Sequence, residues 1–430
     1  MQVGKNNPTL LLLGDATYLK HLILSRKDRL LLDLFWLGFL LYTIGYAVAQ
    51  STYVNYIICQ AFQSLGLALF WVGLFTQLRF SFENLYLRVL FILYFIWLML
   101  VILRGGGFDY DSIKVMLFDA WFGIFLYFTP LLLLIPKNLF FYKRLFDVIL
   151  LLGLAFLGLS VLFAREIIFA DREDLISRNI VEIFARTLGM PAAFILLTLA
   201  YHSNKRKIIA LVTVLTIILL AILKARRGLL LISTLPLLLA YAFYLYQSKA
   251  RVLVIVFSVL CCGALVLYGS FFQEGALFTY LKDRGLEDTR SNVELCFYRD
   301  MSSTDWLIGK GLTGEYYCPG IDPDNRTGYR HVIETDFLQI ILKGGLISFG
   351  LLLLITIPAA ILGIFYSKNL FAKAAGIWIL LALINMYPST VNTFTLNYLM
   401  VWIAVGICYS KAIRMLPEEV LTLYFNPSPS

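Results

Sequence analysis

The run Lys224-Ala225-Arg226-Arg227-Gly228 sets three cations against the start of an apolar stretch. If a helix opens at Gly228, Arg226 and Arg227 stand beside unpaired backbone N–H groups and the positive end of a helix dipole, which is a phosphate site in outline. A guanidinium grips phosphate oxygens with two parallel hydrogen bonds, which an ammonium cannot do, and this suits a lipid diphosphate presented at a membrane surface. The plainer reading is that these cations snorkel to lipid phosphates.

A second group of reactive side chains lies in the polar stretch 272–335, about 64 residues of mixed charge that includes Arg290 and reads as a folded cap. Tyr298, Trp306, Tyr316 and Tyr317 lie among the charges. Aromatic rings beside polar groups are what a sugar-binding groove needs, and they equally serve to pack a cap. At the end of the stretch His331 stands close to Glu334. A neutral imidazole can take the proton of an attacking sugar hydroxyl, and so can a carboxylate, so both are candidate bases; a surface histidine without a role is the alternative. Cys296 and Cys318 fall in the same stretch and can pair in an oxidising compartment. Asp322, Asp324 and Asn325 have oxygen-ligand character, but DPDN lacks the glycine and distal glutamate of a calcium loop, so no metal site is expected.

The elements that must position these groups follow from composition. Of 430 residues, 60% are hydrophobic and 15% charged, and the mean hydropathy is +0.80. That balance describes a polytopic membrane protein, because apolar runs of about 20 residues, enough to cross a bilayer, recur along most of the chain. Continuous apolar runs without alternation argue for helices rather than a barrel. Spans are expected at 30–49, 54–78, 84–103, 113–135, 145–164, 181–201, 208–223, 228–247, 251–271, 336–365, 371–387 and 394–411. The chain then divides into a basic segment 1–29, a membrane part 30–271, an outer loop 272–335, a second membrane part 336–411 and a tail 412–430. No cleavable signal peptide is expected.

Lys20, Arg26, Lys27 and Arg29, then Lys137, Lys143 and Arg144, then Lys205, Arg206 and Lys207 mark one face as cytoplasmic. Both termini lie there by this rule, and 272–335 lies outside. The net charge of +9 is therefore an orientation signal rather than a nucleic-acid footprint. The outward Lys224, Arg226 and Arg227 break the rule, which points to an anionic ligand or a carboxylate partner. Asp119, Glu182, Arg186 and Lys343, in or near spans, are expected to face the bundle interior, with Arg186 paired to Glu182 one helical turn away. Cys59, Cys261, Cys262 and Cys408 read as small core residues. No P-loop, GxSxG, HExxH or CxxC motif occurs, which argues against nucleotide-driven pumping, serine hydrolysis and zinc proteolysis.

KARRG at 224–228, Arg290 in a long outer loop, WLIGKGLTGEYY at 306–317 and HVIETDFLQIILKGGLISFG at 331–350 together resemble the O-antigen polymerase and O-antigen ligase superfamily of bacterial inner-membrane glycosyltransferases. Many members carry His-Asn directly before the equivalent of Asp336-Phe337-Leu338-Gln339, whereas Glu334-Thr335 stands here and His331 lies three residues earlier. The resemblance implies an all-α, GT-C-like fold of about twelve helices with the long periplasmic loop between helices 9 and 10. It implies an undecaprenyl diphosphate-linked oligosaccharide as donor and as acceptor, no cofactor and no metal. Arg226, Arg227 and Arg290 would hold the diphosphate, and His331 or Glu334 would be the base. A repeat-unit polymerase, with a chain-length regulator as a partner, is favoured over a ligase that transfers finished glycan to lipid A-core. A flippase for the same lipid-linked substrate is the rival from another class.

Overall fold

The computed structural model describes residues 25–426 except 52–53, 106–109, 122, 170–173, 248–289 and 321–326. Where the solvent is hydrocarbon, every backbone N–H must find its carbonyl within the same segment, so long apolar runs become helices. The first three are α1 (Arg26–Ala49), α2 (Tyr56–Gln77) and α3 (Leu85–Leu103). Then come α4 (Tyr110–Phe118), a 3-10 helix (Ile124–Leu134) and α5 (Leu139–Leu162). Short α6 (Ala164–Ile168) leads to α7 (Leu175–Phe184), a π turn (Ala185–Gly189) and α8 (Ala192–Leu197). Next are α9 (Asn204–Leu223) and α10 (Arg227–Gln247).

A small cap follows, with α11 (Ser291–Asp300), α12 (Ser303–Ile308) and a two-stranded antiparallel ladder of β1 (Tyr316–Tyr317) and β2 (Tyr329–Arg330). The chain re-enters the bundle through α13 (Asp336–Phe365), α14 (Leu370–Asn385) and α15 (Leu396–Tyr409), then closes with α16 (Lys411–Arg414) and α17 (Glu418–Phe425). Asparagines mark the starts: Asn55, Asn84, Asn138 and Asn369 each accept a backbone N–H of the first turn of α2, α3, α5 and α14.

Among the described residues, seven helices are long and apolar enough to cross a membrane: α1, α2, α3, α5, α9, α10 and α13. Ile124–Leu134, α14 and α15 are shorter apolar helices. This is consistent with a multi-pass membrane protein. The expected twelve spans are not all continuous helices among the described residues. The expected fourth span divides at 119–123 into α4 and a 3-10 helix containing Pro130, and the sixth divides into α7, the π turn and α8. The expected ninth span, 251–271, lies outside the described residues.

Helices in lipid gain little from burying apolar surface against one another, so close packing has to hold them. Between α1 and α2 the backbones touch: a Cβ on Gly38 would come within 2.3 Å of the Phe70 nitrogen, and one on Gly66 within 2.5 Å of the Tyr42 nitrogen. Phe394, just ahead of α15, fills the next layer, with ring centroids 5.3–6.0 Å from those of Tyr42, Phe70, Phe125 and Phe39.

The expected tenth span is also broken. Gly345 has φ 69° and ψ −176°, a conformation that side-chain-bearing residues adopt only under strain, and it splits α13 into a short first part and a long second part. The segment after α12 fills the break: Lys310 N–H donates to the Leu342 carbonyl (2.7 Å), Gly311 N–H to Lys343 (2.9 Å) and Leu312 N–H to Val101 at the end of α3 (3.1 Å). Trp97 donates from its indole to the freed Gly344 carbonyl (2.9 Å), and Arg104 reaches the Ile308 and Gly309 carbonyls at 2.9 and 2.7 Å. The cap is thereby bonded into the bundle rather than resting on it.

Candidate functional site

The segment between α14 and α15, Met386 to Thr395, is rich in Ser, Thr and Asn and has no helical partner for its backbone. Side chains from distant helices satisfy it. Buried Asp336 accepts from the backbone N–H of Val391 (3.1 Å) and Asn392 (2.9 Å), and its own N–H donates to the Met386 carbonyl (2.9 Å). Phe394 N–H donates to Ala120, in the break of the fourth span (2.6 Å). Arg186, in the π turn, donates to the Ser389 hydroxyl and to the Thr390 carbonyl (3.0 Å), and lies over the Trp121 ring at 5.5 Å. Asn397 in turn donates to the Arg186 carbonyl (2.8 Å). Two breaks in helical regularity, near Ala120 and at the π turn, therefore meet at a single polar loop.

Of the candidate arginines, Arg290 bonds to that loop directly and Arg226 stands beside Arg186 through a shared carboxylate. Arg290 precedes α11 and donates to the carbonyls of Tyr387 (3.2 Å) and Pro388 (2.8 Å). Arg226 pairs with Glu182, whose other oxygen lies 2.7 Å from Arg186. One carboxylate thus holds two guanidinium groups side by side, both with most of their surface out of water. The expected Glu182–Arg186 pair is present, but it does more than secure a helix end, because it aims Arg186 at the loop. The turn that presents Arg226 is tight: Ala225 has φ 49°, Arg226 N–H donates back to Ala221 (2.8 Å), and a Cβ on Gly228 would sit 2.9 Å from the Pro388 carbonyl. Arg227 is the first residue of α10 and is exposed.

The cap brings in the candidate bases. Arg290 Nε lies 3.3 Å from the exposed Glu334 carboxylate, and the Thr335 hydroxyl donates to Glu294 (2.5 Å), so α11 grips this segment on both sides. Gln339, on the first turn of α13, donates to the His331 carbonyl (3.1 Å) and accepts from Ile333 N–H (2.9 Å), which fixes the approach of the chain to the bundle. The His331 ring is pulled below its ordinary pKa of 6.5, first by partial desolvation and next by the Lys343 ammonium, against smaller upward pulls from Glu315 and Asp119. Its imidazole is therefore the neutral, proton-accepting form at pH 7. Lys343, buried, donates to the Gly314 carbonyl (2.8 Å).

The four candidate sugar-facing rings divide. Tyr316 is fully buried in the cap core with Val293, Phe297, Cys318, Ile333 and Leu338, and its hydroxyl donates to the Val332 carbonyl (3.0 Å). It packs the cap instead of presenting a ring face. Tyr298 and Trp306 stack at 6.0 Å with planes 9° apart. Tyr298 and Tyr317 are exposed, the latter 5.2 Å from Tyr329 across the ladder. Cys296 and Cys318 form a disulfide, Cα atoms 5.2 Å apart, that ties α11 to the residue just after β1. The DPDN run lies outside the described residues.

Two clefts share Trp121 and Thr390 in their walls. The first is lined by Gln339, Lys343, Asn392, Tyr94 and Tyr398, the second by Arg186, Asn385, Asn397, Trp378, Ile232 and Pro236. Reading the sequence alone missed the importance of Arg186, Asp336 and the 386–395 loop. The available signal was the polar run Asn385 to Asn397 between two apolar helices, too rich in hydroxyls and amides to be a mere connection. No family model, curated protein or solved structure matches this chain.

Proposed function

We propose that the chain is a membrane glycosyltransferase of the O-antigen polymerase type, which transfers an undecaprenyl diphosphate-linked glycan onto a lipid-linked acceptor repeat on the periplasmic side of a bacterial inner membrane. The observation that carries this reading is that Arg186 and Arg290 both donate to the 387–390 segment, with Arg226 beside Arg186 on the shared Glu182 carboxylate and Glu334 in contact with Arg290. Guanidinium groups held out of water are suited to a diphosphate, whose negative charge grows as the bond to the anomeric carbon breaks. His331 has the character of the base, and Glu334 that of a positioning group that orients Arg290.

In the proposed step the acceptor hydroxyl oxygen attacks the anomeric carbon from the face opposite the diphosphate. The carbon–oxygen bond to the diphosphate breaks, its electron pair leaves with the lipid diphosphate, and the hydroxyl proton passes to His331. Configuration at the carbon inverts. The test is the surface-glycan ladder of a deletion strain complemented with wild type, Arg227→Ala, Arg290→Ala or His331→Ala, with lipid-linked glycans analysed in parallel. Core carrying a single repeat in the deletion strain and restoration by wild type alone are expected. Bare core with long chains retained on the lipid diphosphate identifies a ligase, and an unchanged ladder overturns the proposal.

A further inference from the structure

The cleft walled by Arg186, Asn385 and Asn397 is bordered by polar atoms that the fold itself leaves unanswered. Asn385 ends α14 and is only 8% exposed, yet its Oδ1 atom is buried with no hydrogen-bond partner among the described residues. Asn397 lies in the first turn of α15, and its amide nitrogen donates to the Arg186 carbonyl at 2.8 Å. That bond fixes which end of the amide is left over: the oxygen, which is likewise buried and unpartnered. Arg186 commits its terminal nitrogens to Glu182, Ser389 and Thr390, and its buried Nε–H is the third unanswered group. Buried donors and acceptors are rarely left unpaired, because each one costs stability.

The mixture of groups says what kind of ligand suits it. A metal cation would satisfy the two amide oxygens but be repelled by the guanidinium, and an anion would satisfy the Nε–H but be repelled by the oxygens. A neutral hydroxyl both donates and accepts, so hydroxyls can answer all three. Water can too, but it gains nothing from the rest of the walls, which are apolar: Trp121 and Trp378, with Ile232 and Pro236 of α10. Trp378 is held in place by its indole N–H, which donates to the Asn397 carbonyl (3.2 Å). Indoles beside a few fixed amides suit a molecule with apolar faces and a hydroxyl-bearing edge, which describes a pyranose ring. Arg186 shares the Glu182 carboxylate with Arg226, so the cleft adjoins the arginines assigned to the diphosphate.

We propose that this cleft is the subsite for the neutral sugar ring bonded to the diphosphate, with Asn385 and Asn397 accepting hydrogen bonds from its hydroxyls and the apolar walls taking its ring faces. The inference rests on the glycosyl-transfer reading and adds what selects the sugar. A ring without a hydroxyl at these positions leaves the amide oxygens unpaired and is rejected.

The full chain, purified in detergent, is titrated with geranyl diphosphate and with the same molecule carrying one glucose, while tryptophan fluorescence is followed. In wild type the glucose should tighten binding roughly tenfold, as one or two hydrogen bonds to buried groups require. In Asn385→Leu that gain should vanish while geranyl diphosphate binds as before. The same variant removes an acceptor that the fold does not pair, so it should melt with wild type or above it. Asn385→Ala, smaller than asparagine, repeats the comparison where leucine is not accommodated. If geranyl diphosphate binds but glucose adds nothing, or its gain survives in both variants, the cleft holds only water or the prenyl chain; the inference is overturned and the glycosyl-transfer reading stands. If neither probe binds wild type, both fall together. Variants that melt well below wild type would make the Asn385 amide a structural group and also overturn the inference.

Discussion

Replacing Gly345 with alanine tests the claim that the cap is built into the break of α13. Two costs add. The backbone at φ 69° and ψ −176° is one that a Cβ-bearing residue reaches only with strain of about 1–3 kcal/mol. The new Cβ would also sit 2.1 Å from the Leu307 oxygen and 2.4 Å from its carbonyl carbon, so that peptide has to retreat. Retreat pulls on the bonds from Lys310 to Leu342 and Gly311 to Lys343, and on those from Arg104 to Ile308 and Gly309, each worth about 1 kcal/mol. Losing two of the four brings the total to about 3–5 kcal/mol, a large part of the roughly 5–15 kcal/mol that holds a typical domain. Gly350→Ala, five residues along the same helix with no atom within 4 Å of its new Cβ, is the control. It should be neutral or stabilise by up to about 1 kcal/mol, since alanine is the better helix former. The assay is thermal unfolding in detergent, paired with limited proteolysis of the cap. Gly345→Ala should melt well below wild type and be cut faster between residues 300 and 335; if it melts with Gly350→Ala, the cap is not anchored through this break.

Further outcomes follow from the charges and covalent ties. Glu182→Gln removes the anion between Arg186 and Arg226; at an effective dielectric of about 20 a contact pair is worth about 4 kcal/mol, and with Glu182 partly exposed about 2 kcal/mol should be lost. The double variant Glu182→Gln/Arg226→Gln should then cost less than the sum of its parts in the same melting assay. Replacing Cys296 and Cys318 with alanine opens a tie across 22 positions and should cost about 3 kcal/mol by the chain-entropy estimate, with a reducing agent producing the same shift in wild type. His331 has a lowered folded pKa, so below pH 6.5 the unfolded chain binds the proton more readily than the folded one. Stability should therefore fall as pH drops through that region, and His331→Asn should flatten the slope; an identical slope in the variant would show that other groups carry it.

The helices were legible because their cause is local. A run such as Leu85–Leu103 has only Arg88 to interrupt it, and no partner is needed to make it helical in hydrocarbon. The breaks were illegible because their causes are remote. Gly344-Gly345 could sit inside a straight helix; the wedge that makes it a break comes from Leu307 to Gly311, some forty residues earlier. Arg186 looked like half of a local ion pair, and nothing near it in sequence announces Ser389 and Thr390. The cysteine pair was legible from its place in one polar stretch. Tyr316 could not be told from Tyr317 by composition: adjacent strand residues face opposite ways, and one went to the core while the other went to water.

The placement of the breaks is itself an argument about where the chemistry belongs. Non-helical backbone at membrane depth survives only where protein or a water-filled cavity satisfies its polar groups. Here the π turn at 185–189, the gap at 119–123 and the 386–395 loop satisfy one another, through Asn397 to Arg186, Phe394 to Ala120 and Asp336 to Val391 and Asn392. Each would be expensive alone, and their concentration around two adjoining clefts puts Arg186 in the wall of one, with Arg226 beside it on Glu182 and Arg290 bonded to the loop. A π turn bearing a charged residue is a common mark of a functional position. For a purely structural bundle, straight helices would satisfy the same backbone at lower cost, and the cluster of breaks would have no reason to coincide with the arginines.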